Sequence, residues 1–134
     1  GARLGFLKDG LNAFMINPIF GVGMGGYGKV IFGKDYNTYP HNIIFEIAGE
    51  AGIIGLVFFL LFFAAIFFVT YRSRIYTDLQ MNSINNILFI SLTFLFLNYM
   101  KSGGFISARD LFLYAGLIIA FNNNVFLKER NKND

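Results

Sequence analysis

The chain has 134 residues, one histidine, no cysteine and a formal net charge of +3; 55% of its residues are hydrophobic, 18 are Phe, and only 14% are charged. That composition excludes an ordinary soluble domain, which could not cover so much apolar surface with so few charges. Disulfides and thiolate metal sites are excluded with the cysteines, and the small, dispersed positive charge argues against a nucleic-acid partner.

In residues 1–41, Leu4, Leu7, Leu11, Phe14 and Met15 recur at helical spacing between Arg3, Lys8, Asp9 and Asn12. The pattern predicts an amphipathic helix lying on the membrane or against other helices. Asn17-Pro18 should end it, because the residue before proline is pushed out of the helical region. The next stretch, GVGMGGYGK, fits G-x-G-x-x-G through Gly21, Gly23 and Gly26, and most of G-x-x-x-x-G-K through Gly23, Gly28 and Lys29. A dinucleotide loop needs a strand before it and a helix opening on it. Asn17-Pro18 leaves no room for the strand, and the run from Lys29 to Gly33 is too short and β-branched for the helix. Val30 also stands where a Ser or Thr would hold magnesium. The expectation is a tight turn packed on membrane helices, in which glycine supplies positive φ and close approach. Its backbone N–H groups can still meet an anion, so a phosphate role of another kind stays open.

After a polar segment from Gly33 to Tyr39 comes Pro40-His41-Asn42, with Asn42 placed to cap the first long helix. Ala51 to Val69 carries no charge over nineteen residues. As a helix it would be roughly 28 Å long, enough to cross a hydrocarbon core. Met81 to Met100 is a second uncharged run, of twenty residues. Leu111 to Leu127 is a weaker third, interrupted by Asn122, Asn123 and Asn124. Those amides should sit near an interface or face protein. The expected fold is an all-α membrane protein: an outer loop over 1–41, then transmembrane helices at about 42–70, 82–100 and 110–127 with a short charged tail. A chain opening on Gly rather than Met suggests the C-terminal part of a longer membrane protein. The 71–80 connection and the tail hold five basic residues in about seventeen, against six in about fifty on the other side. The denser side is expected to be cytoplasmic.

His41 stands where a polar mouth meets the first span. A lone histidine is most often structural, but here its ring could serve as general base or oxyanion donor. Glu46 and Glu50 lie one turn apart just ahead of the apolar run. Either they answer nearby arginines, or they help to bind a polar substrate. Arg3, Lys101 and Arg109 are cations on the outer face. They are either solvated or headgroup-contacting groups, or a site for an anionic lipid head. Arg109-Asp110 should open the third helix. No strong metal site is evident, and no cofactor is expected.

Arg3, Asn17-Pro18-Ile-Phe-Gly21-Val-Gly23, Pro40-His41-Asn42-Ile-Ile-Phe-Glu46 and Glu50-Ala-Gly52-Ile-Ile-Gly55 together resemble the O-antigen ligase and polymerase superfamily over about residues 1–70. The later helices match it only as generic spans. The resemblance implies a multi-pass, inner-membrane, metal-independent glycosyltransferase of the C-type helical fold, with residues 1–41 periplasmic. Its donor would be a glycan on undecaprenyl pyrophosphate, and its acceptor a sugar hydroxyl. In a polymerase that acceptor is another lipid-linked unit; in a ligase it is lipid A-core. His41 and Arg3 match the family's essential histidine and arginine; Gly21 and Gly23 would shape the loop over the site. The contrasting expectation is a non-catalytic membrane subunit or transporter fragment, in which His41 and Arg3 are structural.

Overall fold

The computed structural model describes residues 2–34, 38–73 and 79–133, without the side chains of residues 2–3, 106 and 128–133. Among the described residues every regular element is helical: α1 (Ala2–Ile16), α2 (Gly26–Phe32), α3 (Ile43–Ser73), α4 (Leu79–Ser102), a single 3-10 turn (Phe105–Ser107) and α5 (Arg109–Asn133). α3, α4 and the Arg109–Leu127 part of α5 are each long and apolar enough to cross a membrane. The expected all-α membrane architecture with three spans is what the chain adopts. Only a minority of each span is covered by protein, so the rest of its apolar surface is suited to lipid or other helices. α3 runs on to Ser73 and α4 begins at Leu79, which shortens the connection read from the sequence; residues 74–78 lie outside the described residues.

The chain divides into two compact units, Gly1–Leu60 with Leu97–Ala108, and Leu61–Phe96 with Arg109–Asp134. In the first unit α1 ends at Ile16, directly before Asn17-Pro18, as proline sterics require. Its packing face is not the expected leucine stripe. Gly10 and Ala13 are buried, whereas Leu4, Leu11 and Met15 are exposed. The reason is closeness: a Cβ added at Gly10 would lie 3.0 Å from Phe45 Cβ and 3.3 Å from Pro40 Cβ, and one at Gly49 would lie 3.2 Å from Ala13 Cβ. Small residues on both elements let the backbones approach, as in membrane helix pairs, and the large apolar side chains are left facing outward.

A second correction concerns residues 26–32. They form a seven-residue helix, α2, where the sequence suggested only turns. Left-handed glycines bound it, Gly25 at φ 72° and Gly33 at φ 66°, and its Tyr27 ring is buried, edge-on to Phe32 of the same helix.

The second unit is built from the C-terminal part of α3, from Leu61 on, with most of α4 and α5. Ile66, Leu92, Leu111, Ala115, Ile118 and Val125 form its core. Phe63 packs against Phe96 at 5.2 Å and Phe67 stands edge-on to Phe89 at 4.6 Å between centroids. One end is polar: Asn85 Nδ2 donates to Ser73 Oγ (2.8 Å), and Asn122 Nδ2 donates to Asn85 Oδ1 (3.1 Å) and Ile118 O (2.8 Å). Of the three asparagines flagged in the third span, Asn122 is fully buried against protein, while Asn123 and Asn124 are exposed.

Candidate functional site

The glycine-rich turn is docked into a break in α3. At Gly52 the backbone leaves the helix, with φ 66° and ψ −165°. In an unbroken helix the N–H groups of Ile53 and Ile54 would donate to the carbonyls of Gly49 and Glu50. Instead Ile53 N–H donates to Pro18 O (2.8 Å) and Ile54 N–H to Ile19 O (3.4 Å). The two vacated carbonyls accept from Val22 N–H and Gly23 N–H, each at 2.9 Å. Four main-chain groups that the break would orphan are thus exchanged onto the Asn17–Gly23 turn, which non-helical backbone on a membrane span requires. Two glycines make this possible. A Cβ at Gly21 (φ 75°) would collide with the Glu50 carbonyl, and one at Gly52 with the Ile19 carbonyl.

The turn does cradle an acidic group, and that group belongs to the chain. The Glu50 carboxylate accepts hydrogen bonds from the backbone N–H groups of Gly25 and Tyr27. The nest that the sequence left open to a phosphate is filled by a buried side chain two residues before the break. One turn earlier, Glu46 is also buried, and its Oε2 accepts from Phe105 N–H at 2.7 Å. Neither carboxylate lines the cleft described next.

His41 begins the last approach to α3. Its backbone is left-handed at φ 52°, unusual for a residue with a side chain. The half-buried ring is held by two aromatic neighbours, Phe6 of α1 at 4.8 Å and Tyr39 at 4.5 Å between centroids. Asn42 follows as the helix cap: its Oδ1 accepts from Ile44 N–H (3.0 Å) and Phe45 N–H (3.2 Å), as the sequence predicted. Beside these residues opens a cleft of about 320 Å³, lined by Phe6, Leu7, Pro40, His41, Asn42, Leu97, Met100 and Lys101. Its walls are mostly apolar, with one imidazole and one ammonium as the groups that can carry charge. Lys101, in the last turn of α4, is exposed.

The structure therefore brings His41 and Lys101 to one cleft, and turns Glu46 and Glu50 inward onto backbone amides. Arg3 belongs to α1, three residues before Phe6, and its side chain lies outside the described residues. Arg109 is exposed at the start of α5, in the second unit, where Asp110 Oδ1 accepts from Leu111 N–H. Sequence reasoning missed three contacts that shape the cleft: Phe6 and Tyr39, which hold the imidazole, and the second bond of Asn42, from Nδ2 to Met100 O at 2.9 Å. The aromatic character of positions 6 and 39 was the only available signal.

Residues 1–60 match the model of the O-antigen ligase family. The matched stretch holds α1, the exchanged turn, α2, His41 and the broken start of α3, and bears out the resemblance read from those motifs. A polysaccharide-related, glycosyltransferase-type membrane function comes with it. No curated protein and no solved structure matches the chain.

Proposed function

From a chain whose first 60 residues carry the O-antigen ligase domain, we propose a polysaccharide polymerase of the bacterial inner membrane. It transfers a glycan from undecaprenyl pyrophosphate to a sugar hydroxyl at the periplasmic face, where residues 1–41 lie. The acceptor oxygen bonds to the anomeric carbon of the donor, the bond from that carbon to the diphosphate breaks, and the hydroxyl proton leaves. A diphosphate is already a good leaving group, so the protein's work is to align the pair and to neutralise charge. His41 takes the proton or orients the hydroxyl. Lys101 meets the diphosphate, joined by Arg3, whose part rests on the resemblance alone.

The observation that carries this reading is the cleft: an imidazole held in a left-handed backbone, facing a cavity with apolar walls and one ammonium, at the mouth of membrane-spanning helices. Such a cavity suits a lipid-linked anion better than a free sugar, because its walls favour hydrocarbon beside the charged group. A ligase is the second reading, favoured by the family's own description; the two differ only in acceptor. The test is His41→Ala in the membrane-embedded protein, read as the glycan profile of the cell. Loss of long chains with repeat units still supplied supports a polymerase. Full-length chains that no longer reach lipid A-core support a ligase. An unchanged profile favours a non-catalytic subunit.

A further inference from the structure

Asn42 and Glu46 stand one turn apart at the start of α3, so their side chains leave the same face of the helix. Both reach one short piece of chain. Asn42 Nδ2 donates to Met100 O at 2.9 Å, and Phe105 N–H donates to Glu46 Oε2 at 2.7 Å. The two bonds bracket Lys101. The turn they hold is tightly seated: a Cβ at Gly104 would lie 3.1 Å from the Tyr39 ring and 3.3 Å from Glu46 Oε2. Asn42 and Glu46 are themselves buried, 8% and 3% exposed, so neither is free to meet a ligand in place of its backbone partner.

We infer that Asn42 and Glu46 are positioning residues that clamp residues 100–105, and so fix Lys101 relative to His41 in their common cleft. The inference deepens the transferase reading and rests on it. Asn42 does two jobs with one amide: the oxygen caps α3 and thereby sets the chain direction at His41, and the nitrogen ties that cap to the end of α4. Glu46 serves as a hydrogen-bond acceptor of a given length. Its charge is not what the clamp uses, so a neutral acceptor of the same length should replace it.

Four variants of the membrane-embedded, full-length protein test the clamp: Asn42→Asp, Asn42→Ala, Glu46→Gln and Glu46→Ala. Two readouts are taken on each, glycan transfer and the rate at which diethyl pyrocarbonate modifies His41, followed on the peptide that contains it. Asn42→Asp keeps the helix cap but sets a carboxylate against the Met100 carbonyl. It is expected to fold, to expose His41 to faster modification, and to lose transfer by about a hundredfold, the order of loss for an ångström of misplacement. Glu46→Gln should leave both readouts within about twofold of the parent, since its amide oxygen still accepts from Phe105 N–H, whereas Glu46→Ala should behave like Asn42→Asp. Asn42→Ala, which loses cap and tie together, should be at least as impaired as Asn42→Asp. Should either alanine variant fail to fold, Asn42→Asp and Glu46→Gln decide alone. An Asn42→Asp protein matching the parent would overturn the clamp, as would a Glu46→Gln protein as impaired as Glu46→Ala, which would make the carboxylate itself the functional group. If the parent shows no transfer, the transferase reading fails, and the modification rates still decide whether the clamp exists.

Discussion

The two units hold themselves together by different means. In the first, the organising contacts end on main-chain atoms: a turn exchanges four hydrogen bonds with a broken helix, and Asn42, Glu46 and Glu50 each grip backbone amides or carbonyls. In the second, continuous helices meet through side chains, phenylalanine rings along most of their length and an amide cluster at one end. Side-chain packing fixes distance between helices but tolerates small slips, since large apolar groups can repack. Main-chain bonds tolerate little, because each has one geometry. The unit carrying the cleft is thus the one whose parts are least free to slide, which is what alignment of a donor and an acceptor requires.

The largest expected effect attacks the backbone exchange. Gly52→Ala places a methyl group on the Ile19 carbonyl, and Gly21→Ala places one on that of Glu50. Either also forces an L-residue to positive φ, which alone costs about 1–2 kcal/mol. If the turn is expelled, up to four main-chain polar groups on a membrane span lose partners, at about 1–3 kcal/mol each where they are kept from water. Both variants are therefore expected to lose most of their folded yield in membranes, read by fluorescence-detected size exclusion after solubilisation. Gly23→Ala provides the contrast. Gly23 is left-handed too, at φ 92°, but no atom lies within 4 Å of an added Cβ, so only the conformational cost applies. Equal losses in all three would show that φ alone matters and that the close approach contributes nothing.

A smaller effect is expected in the second unit. Asn85 donates to Thr70 O and Ser73 Oγ and accepts from Asn122. Interhelical hydrogen bonds in membranes are worth roughly 0.6 kcal/mol on average and seldom above about 1.7. Asn85→Leu should therefore cost about 1 kcal/mol. Asn122→Leu should cost less, because Asn122 Oδ1 is buried with no hydrogen-bond partner among the described residues, and its removal relieves a desolvated acceptor. Unfolding of the purified protein in mixed detergent micelles measures both. A loss at Asn85 rivalling that at Gly52 would erase the distinction between the units.

What the sequence disclosed follows the same division. Charge-free runs announce spans, Asn17-Pro18 announces the end of α1, and Asn42 announces a cap, because each depends on neighbours within one turn. The break at Gly52 was hidden: a glycine inside an apolar run reads like the other small residues there, and its φ is imposed by Pro18 and Ile19, more than thirty positions away. Glu46 and Glu50 looked like partners for arginine or substrate since a carboxylate bound by a distant amide leaves no pattern in residue types. The packing face of α1 was misread for a related reason. Hydrophobic spacing marks large side chains, whereas close helix contact in a membrane selects small ones, Gly10 and Ala13. The His41 cleft was half legible, since P-H-N names the histidine but not the Phe6 and Tyr39 rings that hold it.

The smallest expected effect is a gain. Tyr27 buries its ring in α2, yet its hydroxyl is buried with no hydrogen-bond partner among the described residues. Burial first, and the charge of Asp9 second, push its pKa from 10.0 up to about 12. The folded state thus holds the phenol proton more tightly than the unfolded chain does. The stability that this contributes is present in full below pH 10 and is lost as pH rises from 10 toward 12. Tyr27→Phe keeps the ring against Phe32 and removes an unsatisfied polar atom, so it should leave stability at neutral pH unchanged or raise it by about 1 kcal/mol. It should also flatten that part of the alkaline decline which Tyr27 supplies, seen by following unfolding midpoints of parent and variant between neutral pH and pH 11.5 (a working value of about one half-unit below the shifted pKa). A clear loss at neutral pH would mean that the hydroxyl has a partner, and that α2 is held in place by a polar bond as the rest of its unit is.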